Sequence, residues 1–187
     1  GRSGTSYFPG NLWHPSARLI ARTPQLVAHY DQNMAPPAQL PNGTFVFYVG
    51  SHASNTASGW GFTVTHSGDG HRDTTATLVD DYFGPVITTR AAAPYAGATK
   101  HHSETAGLVA IAETLALTLE TPAVQNAPAV LLRLDCALAA RIAAGVGVPA
   151  TEDEGLRKTV HDLWKRARVQ WLGTFWATWT RNNRGHT

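Results

Sequence analysis

The sequence predicts an α/β domain in which helices flank a mixed sheet of about five strands. Three observations predict this fold class. Apolar residues alternate in two neighbouring segments, they recur at helical spacing between residues 103 and 119, and they dominate a short run at residues 129–134. An antiparallel hairpin followed by alternating helices and strands is typical of such a sheet.

The first two predicted strands form a hairpin. One strand begins at Thr44, where apolar side chains alternate through Val49, and the next covers residues 59–65. Residues 50–55 contain Gly, Ser and Asn, which favour the turn between them. A third strand is expected within residues 78–89.

The second half of the sequence predicts helices and two further strands. In residues 103–119 the apolar positions lie on one helical face, and Pro122 ends this helix. The apolar run before Asp135 is typical of a buried strand, with Asp135 at its carboxyl end. The remaining predicted elements are helices over residues 137–144 and 156–167 and a closing strand at residues 169–172.

Proline and aromatic content predicts three regions. Residues 1–43 form a proline-rich extension, residues 44–172 the α/β domain, and residues 173–187 an aromatic and basic tail. We expect the extension and residues 175–187 to be ordered by contact rather than by secondary structure of their own, with a flexible leader as the alternative for the extension.

Gly1 in first position is compatible with processing, a preceding segment or a cloning remnant. The acid-poor start is compatible with a mitochondrial location.

Composition excludes several kinds of site. The 187 residues carry a formal charge of +2 and a single cysteine, Cys136, so neither an internal disulfide nor a cysteine-based zinc site is possible within the chain. The weak positive charge disfavours wholesale non-specific nucleic-acid binding by charge alone. His101 and His102 are adjacent without a third metal ligand at suitable spacing. We find no phosphate-binding loop, dinucleotide loop or nucleophile elbow, no apolar run long enough to span a membrane, and no sign of a small-molecule substrate.

Three segments, in order, resemble the type 1 ribonuclease H family. Residues 47–51 (FYVGS) are similar to the family's Tyr-Thr-Asp-Gly-Ser strand, and residues 59–62 (GWGF) to its Gly-rich second strand. Residues 103–111 (SETAGLVAI) resemble the start of its first helix, Asn-Asn-x-Ala-Glu-Leu-x-Ala-Ile. Residues 133–140 (RLDCALAA) resemble its strand-end Asp-Ser and following helix. The resemblance implies a ribonuclease H-like fold over most of residues 44–172.

This resemblance also implies a degenerate active site. Family members hold two magnesium ions with carboxylates from the first strand, the first helix, the end of the fourth strand and a C-terminal helix. On the register above, the corresponding positions are Val49, Gly107 and Asp135, of which only Asp135 is acidic. The segment with the last carboxylate is not found before Thr187. We therefore expect no bound metal or cofactor.

The expected function is that of a catalytically inactive ribonuclease H-like domain acting as a structural or RNA-associated subunit of a larger ribonucleoprotein assembly, with protein or RNA as partners. The alternative is a magnesium-dependent endonuclease that cleaves RNA in RNA:DNA hybrids, using Asp135 and Glu104 in a reduced site. Asp80 and Asp81 are interpreted as a solvated turn rather than a metal-binding pair. In a strand, at most one of them could join a metal site, because adjacent strand side chains point to opposite faces.

Candidate nucleic-acid contacts lie on the last predicted helix and in the tail. Lys165, Arg166 and Arg168 form a short basic cluster that could contact phosphates. Arg184 belongs to residues 184–187 (RGHT), which resemble a Lys-Gly-His-Ser loop of the family. Two tryptophans near the cluster, at positions 164 and 171, are interpreted as core anchors, with base stacking as the alternative.

Overall fold

The computed structural model describes residues 35–67, 77–88, 97–98, 102–145 and 153–179, and everything below concerns these residues. They form a five-stranded mixed sheet in the order β3-β2-β1-β4-β5 with helices packed on it. The strands are β1 Thr44–Ala53, β2 Ser58–Ser67, β3 Thr77–Pro85, β4 Val130–Leu134 and β5 Phe175–Trp179. The helices are α1 Ser103–Glu120, α2 Pro122–Gln125, α3 Ala137–Ala144 and α4 Glu154–Gln170.

The central strand β1 joins the two halves of the sheet. It pairs antiparallel with β2, with Val49 opposite Phe62, and parallel with β4, with Val49 opposite Leu134. Strand β5 extends the sheet in parallel beyond β4. Because β1 and β4 run in the same direction, their carboxyl ends lie at the same edge of the sheet.

The main core lies between one face of the sheet and helix α1. On β1, Phe45, Phe47 and Val49 point into this core, and the large side chains Leu108 and Ile111 of α1 meet them there. Helix α1 is buried from Thr105 to Thr118 because α3 and α4 cover the side turned away from the sheet. A smaller cluster of Leu40, Val46 and Leu131 lies on the other face of the sheet.

The predicted closing strand at residues 169–172 is wrong. Helix α4 continues to Gln170, and Gly173, with φ of +81°, lies in the turn before the next strand. The strand is Phe175–Trp179, so the expectation that residues 175–187 lack secondary structure is also wrong for these five residues. The prediction failed because Trp171 has strand propensity but continues the buried row of α4. The aromatic residues Phe175 and Trp176 also favour a strand, and they do form one.

Strand β3 also differs from its predicted form. It ends at Pro85 rather than reaching residue 89, and Asp80 and Asp81 lie within it rather than in a turn. A register shift between Val64 and Thr65 of β2 accommodates the irregular pairing at this point. Among the helices described above, none combines the length and apolar character of a membrane span.

Candidate functional site

The candidate site lies where the carboxyl ends of β1 and β4 meet the start of α3. Asp135 directly follows β4, and its Oδ2 accepts a hydrogen bond of 3.0 Å from the backbone N–H of Ser51 in β1. Val49 lies beside Leu134, the residue before Asp135. The Asp135 carboxylate therefore ties the end of β4 to β1.

Gly107 brings helix α1 close to the start of α3. A Cβ atom added to Gly107 would lie 2.9 Å from Ala139 Cβ, 3.0 Å from Cys136 Cβ and 3.2 Å from Cys136 Sγ. Gly107 thus packs against Cys136, which follows Asp135, while Val49 lies beside the residue that precedes Asp135. Val49 and Gly107 therefore lie next to Leu134 and Cys136, the two chain neighbours of Asp135, and the role of the three positions as a degenerate metal site stays a prediction.

The Cys136 thiol lies in this same cluster. Burial raises the pKa of Cys136, and the negative charges of Asp135 and Glu104 raise it further, although backbone hydrogen bonds to Ala139 and Leu138 partly oppose the shift. A raised pKa keeps the thiol protonated near neutral pH, where it is a poor nucleophile and a poor metal ligand.

Glu104 in the first turn of α1 is paired with a cation. Its Oε1 accepts a hydrogen bond of 2.8 Å from Arg157 on α4, and the two side chains are 19% and 16% exposed. In the next position, Thr105 Oγ1 donates to Asp153 Oδ2 at 2.5 Å in a buried contact. These two contacts tie the amino-terminal ends of α1 and α4 together, so Glu104 serves a contact between helices.

The residues present do not fit a pair of magnesium ions. Two such ions carry four positive charges and need several oxygen ligands. Within the described ranges, no group of three or more His, Cys, Asp or Glu side chains could hold a metal ion. Asp80 and Asp81 do not supply the missing ligands, because β3 is separated from β4 by two strands. Of the two adjacent histidines, His102 accepts a hydrogen bond from the backbone N–H of Glu104. His101 lies outside the described residues.

Two of the three residues in the predicted basic cluster on α4 face acids of this chain. Lys165 Nζ lies 3.2 Å from Asp162 Oδ1, and only 17% of the Lys165 side chain is exposed. Burial lowers the pKa of Arg166, which faces Glu120, and the negative charge of Glu120 partly restores it. Arg168 also has an interaction within the chain. Arg184 lies outside the described residues, so nucleic-acid contact by these residues stays a prediction.

The two tryptophans beside this cluster are core residues. Trp164 is fully buried and meets Phe175 edge to face at 5.4 Å, and Trp171, 3% exposed, donates from Nε1 to the carbonyl of Ala127. The prediction that they anchor the core is confirmed. Neither ring is exposed enough to stack on a base.

Two features of the site were not predicted from the sequence. One is Arg157, whose partner Glu104 is 53 residues away in sequence, and the other is the contact of Gly107 with Cys136 and Ala139. No local spacing signals the ion pair. A glycine inside a predicted helix was a usable signal for close packing, since glycine weakens a helix interior and permits a near approach.

Comparisons with known proteins complete the description. No protein-family model and no curated protein matches this chain. Among solved structures, it is similar to the N-terminal RNase H domain of Rv2228c from Mycobacterium tuberculosis, solved as a fusion with maltose-binding protein. The identity is 12%, the TM-score is 0.51, and the match covers 76% of this chain and 86% of that chain.

Two further solved structures match at lower TM-scores. RNase H1 from the halophilic archaeon Halobacterium salinarum is 17% identical, with a TM-score of 0.44 and coverage of 74% of this chain and 86% of that chain. LC11-RNase H1, isolated from compost and solved in complex with an RNA/DNA hybrid, is 13% identical, with a TM-score of 0.49 and coverage of 76% and 88%. The mycobacterial match and the observed strand order confirm the predicted fold: this chain has a ribonuclease H-like fold.

Proposed function

We propose that this chain is a catalytically inactive ribonuclease H-like domain that acts as a structural or RNA-associated subunit of a larger assembly. The observation that carries this proposal is the packing around Gly107. On the register of the sequence resemblance, this position would present a metal-binding carboxylate, but Cys136 and Ala139 fill the space in front of it. A longer side chain there would have to displace the start of α3.

The surrounding charges support the same proposal. Asp135 accepts a backbone hydrogen bond from β1, and Glu104 is paired with Arg157. A carboxylate paired with a guanidinium binds a divalent cation less well, because the cation has to replace an existing charge partner. Asp135 alone cannot offset the dehydration of two magnesium ions.

The alternative is a magnesium-dependent endonuclease that cleaves RNA in RNA:DNA hybrids. Both Glu104 and Asp135 lie close enough to Cys136 for their charges to raise its pKa, so the two carboxylates share one neighbourhood. A reduced site made of these two carboxylates would need further ligands from another chain or from the nucleic acid itself.

The experiment that separates the two functions is cleavage of a labelled RNA:DNA hybrid in millimolar magnesium or manganese. We expect no turnover above buffer, and no difference between the native chain and Asp135→Asn. The matched control is Glu154→Gln, which removes an exposed acid at the start of α4. Turnover that Asp135→Asn abolishes and Glu154→Gln leaves intact would establish the endonuclease instead.

The subunit role is tested by recovering the chain from cells with its partners. Affinity purification under native conditions, with identification of bound proteins and RNA, is expected to yield a defined set of partners in constant proportion. Asp135→Asn is expected to recover the same set, because an inactive domain does not depend on metal binding. Recovery of the chain alone, with no enriched protein or RNA, would contradict the proposal.

A further inference from the structure

A groove lies on the face of β1, β2 and β3 turned away from α1. The strand registers arrange this face in rows. Tyr48, Thr63 and Asp81 lie side by side in one row, and Gly50, Gly61 and Phe83 lie side by side in the next. The third row contains His52, Gly59 and Pro85. Since three of these nine positions lack a side chain, the described residues leave the middle of the face uncovered, and the groove has a volume of about 610 Å³.

The walls of the groove are aromatic. Phe83 is 53% exposed, which is unusual for a phenylalanine in a strand, and Tyr48 is half-buried on the opposite side. Side chains two residues apart on one strand are separated by about 7 Å. Phe83 and Asp81 are such a pair on β3, so a single flat group could contact the ring and the carboxylate together.

The charge of the groove is negative. Among its described lining residues, Asp81 carries the formal charge and none is Lys or Arg. At the β1 end, Asp135 Oδ2 lies 3.5 Å from the position that a Cβ atom on Gly50 would take. Asp135 itself is not a lining residue, and Arg133, which pairs with Tyr48 across β1 and β4, places a cation beside the same face. The negative charge of the groove therefore belongs to its Asp81 side. A nucleic-acid backbone would be repelled here, whereas a cationic side chain would be attracted.

We propose that this groove binds arginine side chains of a partner protein. A guanidinium is planar, remains charged at all ordinary pH values, stacks on aromatic rings and pairs with carboxylates, so it matches both Phe83 and Asp81. A lysine ammonium is a compact point charge and gains less from the ring. The groove borders the degenerate site at Gly50 and Ser51, but the inference rests on Asp81 and Phe83 and does not depend on the catalytic state of the protein.

The test is fluorescence anisotropy of the full chain with a labelled nona-arginine peptide and a labelled nona-lysine peptide at equal ionic strength. The net charge of +2 opposes both peptides equally. We expect saturable binding of the arginine peptide and at least several-fold weaker binding of the lysine peptide. Asp81→Asn and Phe83→Ala are each expected to weaken arginine binding by about twofold to fivefold. Phe83→Tyr keeps the ring and is expected to bind as the native chain does.

Matched controls lie away from the groove. Leu172→Ala removes an exposed apolar side chain and Glu154→Gln an exposed acid, and both are expected to leave arginine binding unchanged. Circular dichroism of every variant checks that the fold is retained. Equal binding of the two peptides, or equal losses in the groove and control variants, would show that the peptide does not bind through the groove and would overturn the proposal. A labelled single-stranded oligonucleotide that competes for the groove would also overturn the proposal.

Discussion

Substitution of Gly107 by alanine tests how closely α1 and α3 pack at the candidate site. Two effects of opposite sign act at this position. Alanine is about 1 kcal/mol more favourable than glycine inside a helix. Against this, the new methyl group would lie 2.9 Å from Ala139 Cβ and 3.0 Å from Cys136 Cβ, closer than carbon atoms normally approach.

The steric term is expected to be the larger. Both opposing Cβ atoms are fixed to the backbone of α3 and cannot rotate away, so the two helices have to separate by several tenths of an ångström. Overpacking of this kind typically destabilises a core by about 1–3 kcal/mol. After the gain in helix propensity, we expect a net loss of about 1 kcal/mol, equivalent to a fall of roughly 2–4 °C in melting temperature for a chain of this size.

Gly155→Ala is the matched control. Gly155 is exposed in the first turn of α4, and an added Cβ atom would meet nothing within 4 Å. The same chemical change should therefore stabilise the protein here, by up to about 1 kcal/mol. Thermal or urea unfolding followed by circular dichroism measures both variants. If Gly107→Ala raised the melting temperature as much as Gly155→Ala, the space beside Asp135 would be open and the steric argument against a metal-binding side chain would be refuted.

Three further predictions follow from described contacts. A double-mutant cycle of Glu104→Gln and Arg157→Gln is expected to give a coupling of about 1 kcal/mol in the free energy of unfolding, and added salt should reduce this coupling. A coupling of zero would contradict a stabilising ion pair. Burial lowers the pKa of His161, so the unfolded chain binds the proton more readily than the folded chain. The free energy of unfolding is therefore expected to fall as pH decreases below about 6.5. In urea titrations at several pH values, His161→Gln should remove this dependence on pH. Trp171→Phe removes the hydrogen bond to Ala127 and is expected to destabilise by about 1–2 kcal/mol; an unchanged unfolding midpoint would count against it.

Most of the fold could be predicted from periodicity. Thr44 was recognised as the first residue of β1 because alternation begins there, and α1 was placed between Ser103 and the stop at Pro122. Helix α3 was predicted at its observed bounds, and β4 differs by one residue. In these segments local propensity and burial favour the same structure, which is the condition for a reliable prediction.

The elements near the carboxyl end show where this reasoning fails. Residues 169–172 have strand-like composition, but Trp171 is held on the buried row of α4 by the carbonyl of Ala127, a tertiary contact. At the candidate site, the family resemblance gave Val49 and Asp135 as corresponding positions, but the parallel register that places Val49 beside Leu134 came from the structure. The pairing of Glu104 with Arg157 also came from the structure, because it depends on how α1 and α4 pack rather than on either sequence.

The parallel pairing of β1 with β4 has a consequence for how the chain reaches this structure. Ser51 and Asp135, which are joined across it, are 84 residues apart in sequence. Strands β1 to β3 can pair as soon as they are synthesised, but the other edge of β1 has no partner until β4 arrives. Contacts of such long range slow folding, and an exposed strand edge in the meantime promotes association between chains. We therefore expect refolding from denaturant to be slow, and its yield to fall as protein concentration rises.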